Sequence, residues 1–109
     1  MGVKGCPIEK AVSILEGKWT LLILRELFTG MKRFGELRSE LDGISPKTLT
    51  ERLRILEAQG IVQRTIYPEV PPRVEYALTE YGETLRHVID ALRAWGEQIP
   101  EAVLATTST

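Results

Sequence analysis

The sequence predicts a single α+β domain that is mostly α-helical, with four helices, a two-stranded β-hairpin and a long last helix in that order. Its 109 residues are the size of one domain. Apolar residues recur at helical spacing along most of the chain. Only residues 61–78 combine β-branched and aromatic residues with strand-like alternation, around a loop that contains three prolines.

The composition is that of a folded protein with little material for catalysis or metal binding. Hydrophobic residues make up 43% and charged residues 27% of the chain, which is enough for a core. One cysteine and one histidine are too few for a Cys/His zinc site or a Cys–His catalytic pair, and a single cysteine excludes an internal disulfide. No apolar run reaches the roughly 18 residues of a membrane span, and the first residues do not resemble a signal peptide. We therefore expect a cytoplasmic protein that is not an enzyme and has no cofactor, no metal and no membrane partner.

Charge is distributed unevenly along the chain. The whole chain has a net charge of −1, whereas residues 31–73 contain eight basic and six acidic residues and carry +2. The remaining residues together carry −3. A basic middle between acidic ends suits a protein that places one surface on nucleic acid, although an excess of two charges is small.

The first two helices are predicted from apolar spacing and from the residues at their ends. Cys6 and Pro7 suit the N-cap and the first position of a helix over residues 7–15, which Gly17 ends. Residues 19–28 form a second helix that has apolar residues on nearly every side, which places it at the centre of the fold. The apolar positions of the first helix are Ile8, Ala11, Val12 and Leu15.

A helix-turn-helix follows. Residues 33–41 form a short helix and residues 42–43 a turn. Ser45-Pro46, a preferred N-cap followed by proline at the first helical position, begins a fourth helix that ends before Gly60. One side of this helix is apolar and the opposite side is charged. The apolar side carries Leu49, Leu53 and Leu56, and the charged side carries Lys47, Glu51 and Arg54.

The hairpin, or wing, comes directly after the helix-turn-helix. Residues 61–67 and 73–78 are its two strands, and the proline-rich loop between them is stiff. A helix-turn-helix followed at once by a hairpin is a winged helix-turn-helix.

The last helix is expected to begin at Thr79 and to run unbroken to about Ile99. Its apolar residues are separated by alternating steps of three and four, as in the seam of a coiled coil. Pro100 ends this helix. The core of the domain is therefore expected over about residues 6–99, with residues 100–109 as a frayed tail.

Six segments of the chain carry a family resemblance. They are residues 6–9, 17–19, 33–37, 43–50, 53–57 and 67–76. In this order they are similar to the HxlR-type transcriptional regulators, which are bacterial and archaeal winged helix-turn-helix proteins related to the MarR group. The wing segment is the most specific of the six, and Gly35 departs from the pattern because members often carry a polar residue there. The resemblance implies a homodimer that binds double-stranded operator DNA and regulates neighbouring genes.

The candidate DNA-binding residues lie on the fourth helix, just before the third helix and at the wing. Lysine and arginine suit guanine edges, glutamate suits the cytosine amino group, and threonine reaches a base edge or the thymine methyl group. Ser45 and the free N–H groups of the first helical turn suit a phosphate. The predicted set is Lys32, Arg33, Ser45, Pro46, Lys47, Thr48, Thr50, Glu51, Arg54 and Arg73.

These assignments have structural alternatives. The charged side of the fourth helix could be an ordinary solvated face, and the cations before the third helix could belong to an ordinary helix start. Arg73 could form a surface ion pair with Glu69 or Glu75, and Arg52 suits a structural ion pair. For the whole chain, the alternatives are a winged-helix module that binds another protein and no DNA, and a small enzyme.

The dimer interface is predicted on the first and last helices. A chain of this size cannot cover the apolar stripes of both helices by itself, so a second subunit must do so. No feature of the sequence identifies a small-molecule effector. The predicted interface residues are Ile8, Val12, Leu15, Leu85, Val88, Ile89, Leu92 and Trp95.

Cys6 is a candidate redox sensor. A helix N-terminus favours the thiolate, nearby Lys4 and Lys10 add to this effect, and Glu9 opposes it. The resemblance implies the same role, because several HxlR-type proteins sense oxidants or electrophiles through a cysteine at this position. With one cysteine per chain, the available products are an intersubunit disulfide, a mixed disulfide or an adduct. The alternative is a passive N-cap or a small buried side chain.

Overall fold

The computed structural model describes residues 5–107. Seven helices and three strands are formed within this range. The helices are α1 (Pro7–Leu15), α2 (Lys18–Leu27), α3 (Phe34–Glu40), α4 (Pro46–Ala58), α5 (Glu80–Glu83), α6 (Arg86–Gly96) and α7 (Glu101–Thr107). The strands are β1 (Lys32–Arg33), β2 (Val62–Tyr67) and β3 (Arg73–Leu78). The predicted α+β class, with mostly helical content and a winged helix-turn-helix, is confirmed.

The wing contains one more strand than the sequence predicts. The two strands of the expected hairpin pair antiparallel, and β1 adds to the other edge of β3 to give the order β1-β3-β2. Tyr76 on β3 therefore has Lys32 opposite it on one side and Arg64 on the other. Two residues are too short to show strand alternation in a sequence, so β1 was read as the start of a helix.

The core lies beneath the wing and inside the helix-turn-helix. The predicted central position of α2 agrees with its burial, because one side of the helix is fully buried and the leucines on its other sides are half-buried. The predicted apolar side of α4 is also confirmed. The buried core residues are Ile23, Leu24, Leu27, Leu37, Leu41, Ile44, Leu49, Leu53, Leu56, Ile61, Val62 and Ile89.

Local signals determine where α4 begins and ends. The Ser45 hydroxyl accepts a hydrogen bond from the backbone N–H of Thr48 at 3.1 Å, and Pro46 occupies the first helical position. Gly60 follows the helix with a φ of +77°, a conformation that side chains disfavour. Both ends of α4 are therefore where the sequence predicts them.

The expectation of one unbroken last helix is wrong. The helix ends at Glu83, turns at residues 84–85, and resumes as α6. The Thr79 hydroxyl caps the short α5 by accepting from the Gly82 N–H at 2.9 Å, and it also donates to the Gly60 carbonyl. This second bond ties the start of α5 to the residue that follows the C-cap of α4.

The expectation of a frayed tail after Pro100 is also wrong over the described residues. The Pro100 carbonyl accepts from the N–H groups of Val103 and Leu104 at 3.0 and 3.3 Å, and α7 continues to Thr107. Proline lacks an N–H, so it is compatible with the start of a helix as well as with the end of the preceding one. Residues 108–109 of the predicted tail lie outside the described residues.

Candidate DNA-binding surface

The outward side of α4 presents charged groups without local partners. Lys47, Glu51 and Arg54 are exposed, as the helical spacing predicts. None of their side chains forms an ion pair or hydrogen bond with another residue in the range 5–107. Charged side chains that project from one side of a capped helix are suited to contact the edges of bases in a major groove.

The N-terminal turn of α4 uses its own hydroxyl groups for capping. Ser45 and Pro46 are exposed, and the Ser45 hydroxyl donates to the Thr48 hydroxyl at 3.0 Å while it accepts from the Thr48 N–H. Thr50 is half-buried on the neighbouring flank. The predicted residues of α4 thus lie on one continuous surface, with the two threonines at its edges.

The two cations before α3 differ in their surroundings. Lys32 is half-buried in β1, and its ammonium donates to the Thr29 hydroxyl at 2.6 Å. The Arg33 side chain is exposed, and its backbone N–H donates to the Glu36 carboxylate at 2.7 Å. Arg33 is therefore accessible to a phosphate, whereas Lys32 already has a hydrogen-bond partner.

Arg73 forms ion pairs within the wing, which is the structural alternative to its predicted contact with DNA. Its guanidinium lies 3.1 Å from the Glu69 carboxylate and 3.6 Å from the Glu75 carboxylate. The same group stacks 4.1 Å from the centre of the Tyr67 ring. These contacts occupy the Arg73 side chain within the wing, and its role in DNA binding stays a prediction.

Sequence reasoning missed a polar cluster between α4 and the wing. The Arg64 Nε on β2 lies 3.7 Å from a carboxylate oxygen of Glu57 on α4, and Arg64 is directly opposite Tyr76. Burial raises the pKa of Tyr76 above its usual value, while the charges of Arg64 and Arg54 oppose this shift and Glu57 adds to it. Strand alternation places Arg64 on the same face as buried Val62, and that was the available signal.

The predicted interface residues lie together on α1 and α6, with one exception. Ile8, Val12 and Trp95 have exposed fractions of 74%, 54% and 67%. Val88 and Leu92 are exposed beside them, and Leu15 and Leu85 are half-buried. Ile89 is only 7% exposed, so its assignment to the interface is wrong. It packs into the hydrophobic core of its own chain.

Cys6 is exposed at the N-cap position of α1, as predicted. Its carbonyl accepts the Lys10 N–H at 3.0 Å, but its thiol does not cap the helix. The next residues, Pro7 and Ile8, line an apolar groove between α1 and α6. The thiol therefore lies beside the predicted dimer interface and is accessible to a reagent in the isolated chain.

In residues 5–107, no helix has both the length and the apolar content needed to cross a membrane. The same residues contain no group of three or more His, Cys, Asp or Glu side chains suited to hold a metal ion.

Known proteins resemble this chain over most of its length. The family model for HxlR-like helix-turn-helix proteins matches residues 14–103. An uncharacterised HTH-type transcriptional regulator of Synechocystis sp., sll1512, is 52% identical over 91 residues, which are 84% of this chain and 67% of that protein. A solved structure from Porphyromonas gingivalis W83, described as a transcriptional regulator of the MarR family, has 40% identity and a TM-score of 0.86, covering 92% of this chain and 98% of the other. The redox regulator HypR in its oxidised form has 42% identity and a TM-score of 0.83, covering 88% of this chain and 99% of HypR.

Proposed function

Because this chain belongs to the HxlR-like helix-turn-helix family and is a DNA-binding transcriptional regulator, we propose that it binds a pseudo-palindromic operator as a homodimer. The observation that carries the proposal is the outward side of α4. Two cations and one carboxylate project there without ion-pair partners among residues 5–107. Such a helix enters the major groove, and its side chains select the bases.

The surroundings of each cation indicate whether it contacts bases or phosphates. Lys47 and Arg54 are the base readers, since lysine and arginine match the acceptors of guanine. Arg33 is a phosphate contact, since its exposed guanidinium lies at the junction of β1 and α3. Phosphate contacts set the register of the protein on DNA, and base contacts set the sequence preference.

The proposed homodimer is supported by the exposed apolar side chains of α1 and α6. Ile8, Val12, Leu92 and Trp95 are 45–74% exposed, and Ile8, Val12 and Leu92 line one groove between the two helices. Exposed apolar patches mark surfaces that bind another protein. A two-fold axis through this surface would place two copies of α4 about 34 Å apart, which is one turn of DNA. This spacing is the reason to expect a pseudo-palindromic operator.

Thiol-based control through Cys6 is the third part of the proposal. The thiol is exposed and lies next to the groove between α1 and α6, and a similar protein, HypR, is described as a redox regulator. Oxidation of two Cys6 thiols by a reagent such as diamide removes two protons and two electrons and forms one disulfide between subunits. A disulfide or adduct at the interface changes the relative position of the two α4 helices and therefore the affinity for an operator of fixed spacing.

The test is a binding titration on two DNA duplexes. Fluorescence anisotropy compares DNA taken from upstream of the chain's own gene with a duplex of the same length and shuffled sequence, at several salt concentrations. We expect the upstream DNA to bind at least about tenfold more tightly, because specific binding exceeds non-specific binding by larger factors in this class of protein. Equal binding to both duplexes would contradict the reading role of α4 at this operator. Absence of any DNA binding would favour a protein–protein interaction module instead.

A further inference from the structure

We infer that Arg64 on the wing is a phosphate contact, and that Glu57 holds its guanidinium in place until DNA binds. This inference rests on the proposed binding of DNA and adds a residue that sequence reasoning did not assign. Its basis is the cluster in the angle between α4 and the wing, where Arg54 and Glu57 from the helix meet Arg64 and Tyr76 from the sheet.

The position of Arg64 follows from the register of the sheet. Arg64 and Tyr76 are paired residues of β2 and β3, so their side chains project from the same face of the wing. That face turns toward α4, since the Arg64 Nε lies 3.7 Å from the Glu57 carboxylate. DNA that holds α4 in its major groove would lie against the space between α4 and the wing, where Arg64 is exposed.

The Arg64–Glu57 pair is loose. Their closest N–O distance of 3.7 Å is longer than a hydrogen bond, and the two side chains are 43% and 38% exposed. By contrast, Arg73 has carboxylates at 3.1 and 3.6 Å, a stacked tyrosine ring and a side chain that is 30% exposed. Release of Arg73 to a phosphate would leave two carboxylates without their partner, whereas release of Arg64 would leave one carboxylate and the neutral hydroxyl of Tyr76, to which Arg64 is also hydrogen-bonded.

The charge of the cluster favours an added anion. Arg54 and Arg64 both lower the pKa of Tyr76 through their charges, so both cations lie near the same phenol group, and Glu57 is the carboxylate that opposes them. Two positive charges face one negative charge. A phosphate that enters here gains Arg64 as its cationic partner and the Tyr76 hydroxyl as a further donor, while Arg54 stays available to the bases.

Two substitutions separate a phosphate contact from a structural ion pair. With Arg64→Ala, we expect affinity to fall on operator and shuffled DNA alike, by on the order of tenfold per subunit at 0.1 M salt. The slope of log K against log salt should become shallower by about 0.9 per subunit. With Glu57→Gln, we expect both DNAs to bind about two- to fivefold more tightly, because the competing carboxylate is gone.

The matched control is Arg25→Ala. Arg25 also belongs to an exposed ion pair, with a side chain that is 45% exposed, but it lies in the groove between α2 and α6. We expect its removal to leave affinity and salt slope unchanged. Thermal unfolding of each variant checks that the fold is intact, and Arg64→Lys should restore most of the salt slope, since lysine keeps the charge.

An unchanged salt slope in Arg64→Ala would overturn the inference. Weaker DNA binding by Glu57→Gln would also overturn it, because a carboxylate that merely anchors the wing should weaken binding when it is removed. These results differ from failure of the proposed function, in which the unaltered protein itself binds neither DNA.

Discussion

The surface formed by α4 and the wing and the surface formed by α1 and α6 are both open to solvent, yet they differ in the side chains that dominate them. On the first surface the outward side of α4 is charged, and the apolar residues Ile55, Ile66 and Val70 are scattered over the helix and the wing. On the second surface apolar residues of two neighbouring helices are exposed, among them Ile8, Val12 and Leu92.

This difference indicates which partner suits each surface. Charged side chains held by a rigid helix exchange counterions for phosphates, so binding on the α4 surface should weaken as salt rises. Apolar side chains gain from exclusion of water, so association on the α1–α6 surface should be nearly independent of salt. The predictions that follow test this contrast, from the largest expected effect to the smallest.

The largest effect is expected from charges placed on the α1–α6 surface. Val88→Glu combined with Leu92→Glu should prevent dimer formation, since four carboxylates would be buried where apolar groups meet. Operator binding should be lost as well, because each subunit would contact only one half-site. Sedimentation at micromolar concentration measures the first effect, and an operator titration measures the second.

The matched control for this variant introduces the same two residues elsewhere on α6. His87 and Ala94 are exposed on the side opposite Val88 and Leu92. His87→Glu combined with Ala94→Glu should leave the dimer intact. If the unaltered protein sediments as a monomer, the assignment of this surface to a second copy is wrong.

Removal of either predicted base reader should give the next largest effect. Lys47→Ala and Arg54→Ala should each cost about 1–3 kcal/mol per half-site on the operator and relax the preference at one base position. Shuffled DNA should lose much less affinity. Titrations on the two DNAs measure the difference, and equal losses on both would show that these residues contact phosphates rather than bases.

Oxidation of Cys6 tests the proposed coupling between the two surfaces. We expect diamide-treated protein to bind the operator with an affinity altered by about five- to 150-fold, the usual range for coupling between two sites. Cys6→Ser should be insensitive to the reagent, and mass spectrometry should identify the product. Treated and untreated protein that bind equally well would leave Cys6 as a passive N-cap.

Gly82 lies in α5, the short helix that connects the wing to α6. A Cβ atom added there would collide with the backbone carbonyl of Ile61. Gly82→Ala should therefore lower the free energy of unfolding by about 1–3 kcal/mol, measured by urea denaturation. Gly96→Ala is the control, because a Cβ at Gly96 has nothing within 4 Å, and it should be neutral or slightly stabilising. Equal stability of both variants would contradict the close packing of this junction.

The smallest expected effect is on the pH dependence of the free energy of unfolding. Burial raises the pKa of Tyr76 above the value of 10.0 expected in the unfolded chain, so folding favours the protonated phenol. The raised pKa of Tyr76 therefore contributes to the free energy of unfolding fully below pH 10.0, and this contribution is lost as pH rises through the pKa of the folded state. Tyr76→Phe should remove this loss, so its unfolding free energy should fall less steeply above pH 10.0 than that of the unaltered protein. Parallel curves for the two proteins would contradict the assignment.

The sequence by itself determined α4 and its outward side. The cap at Ser45, the stop at Gly60, the buried leucines and the outward charges all lie within one short segment, where helical geometry alone relates them. The hairpin strands were determined in the same way, by alternation on either side of a proline-rich loop. The N-cap position of Cys6 before α1 also followed from local residues, whereas its exposure is known from the tertiary structure.

Only the tertiary structure decided which distant residues meet. Lys32 joins the sheet because it pairs with Tyr76, a residue far along the chain, and Arg64 meets Glu57 because β2 folds back over α4. The last helix is interrupted at residues 84–85 and Ile89 packs into the core of its own chain, and the apolar spacing indicates neither feature. The spacing of apolar residues indicates which side of a helix or strand is buried. It does not indicate which other element covers that side, because the covering element comes from a segment far away in the sequence.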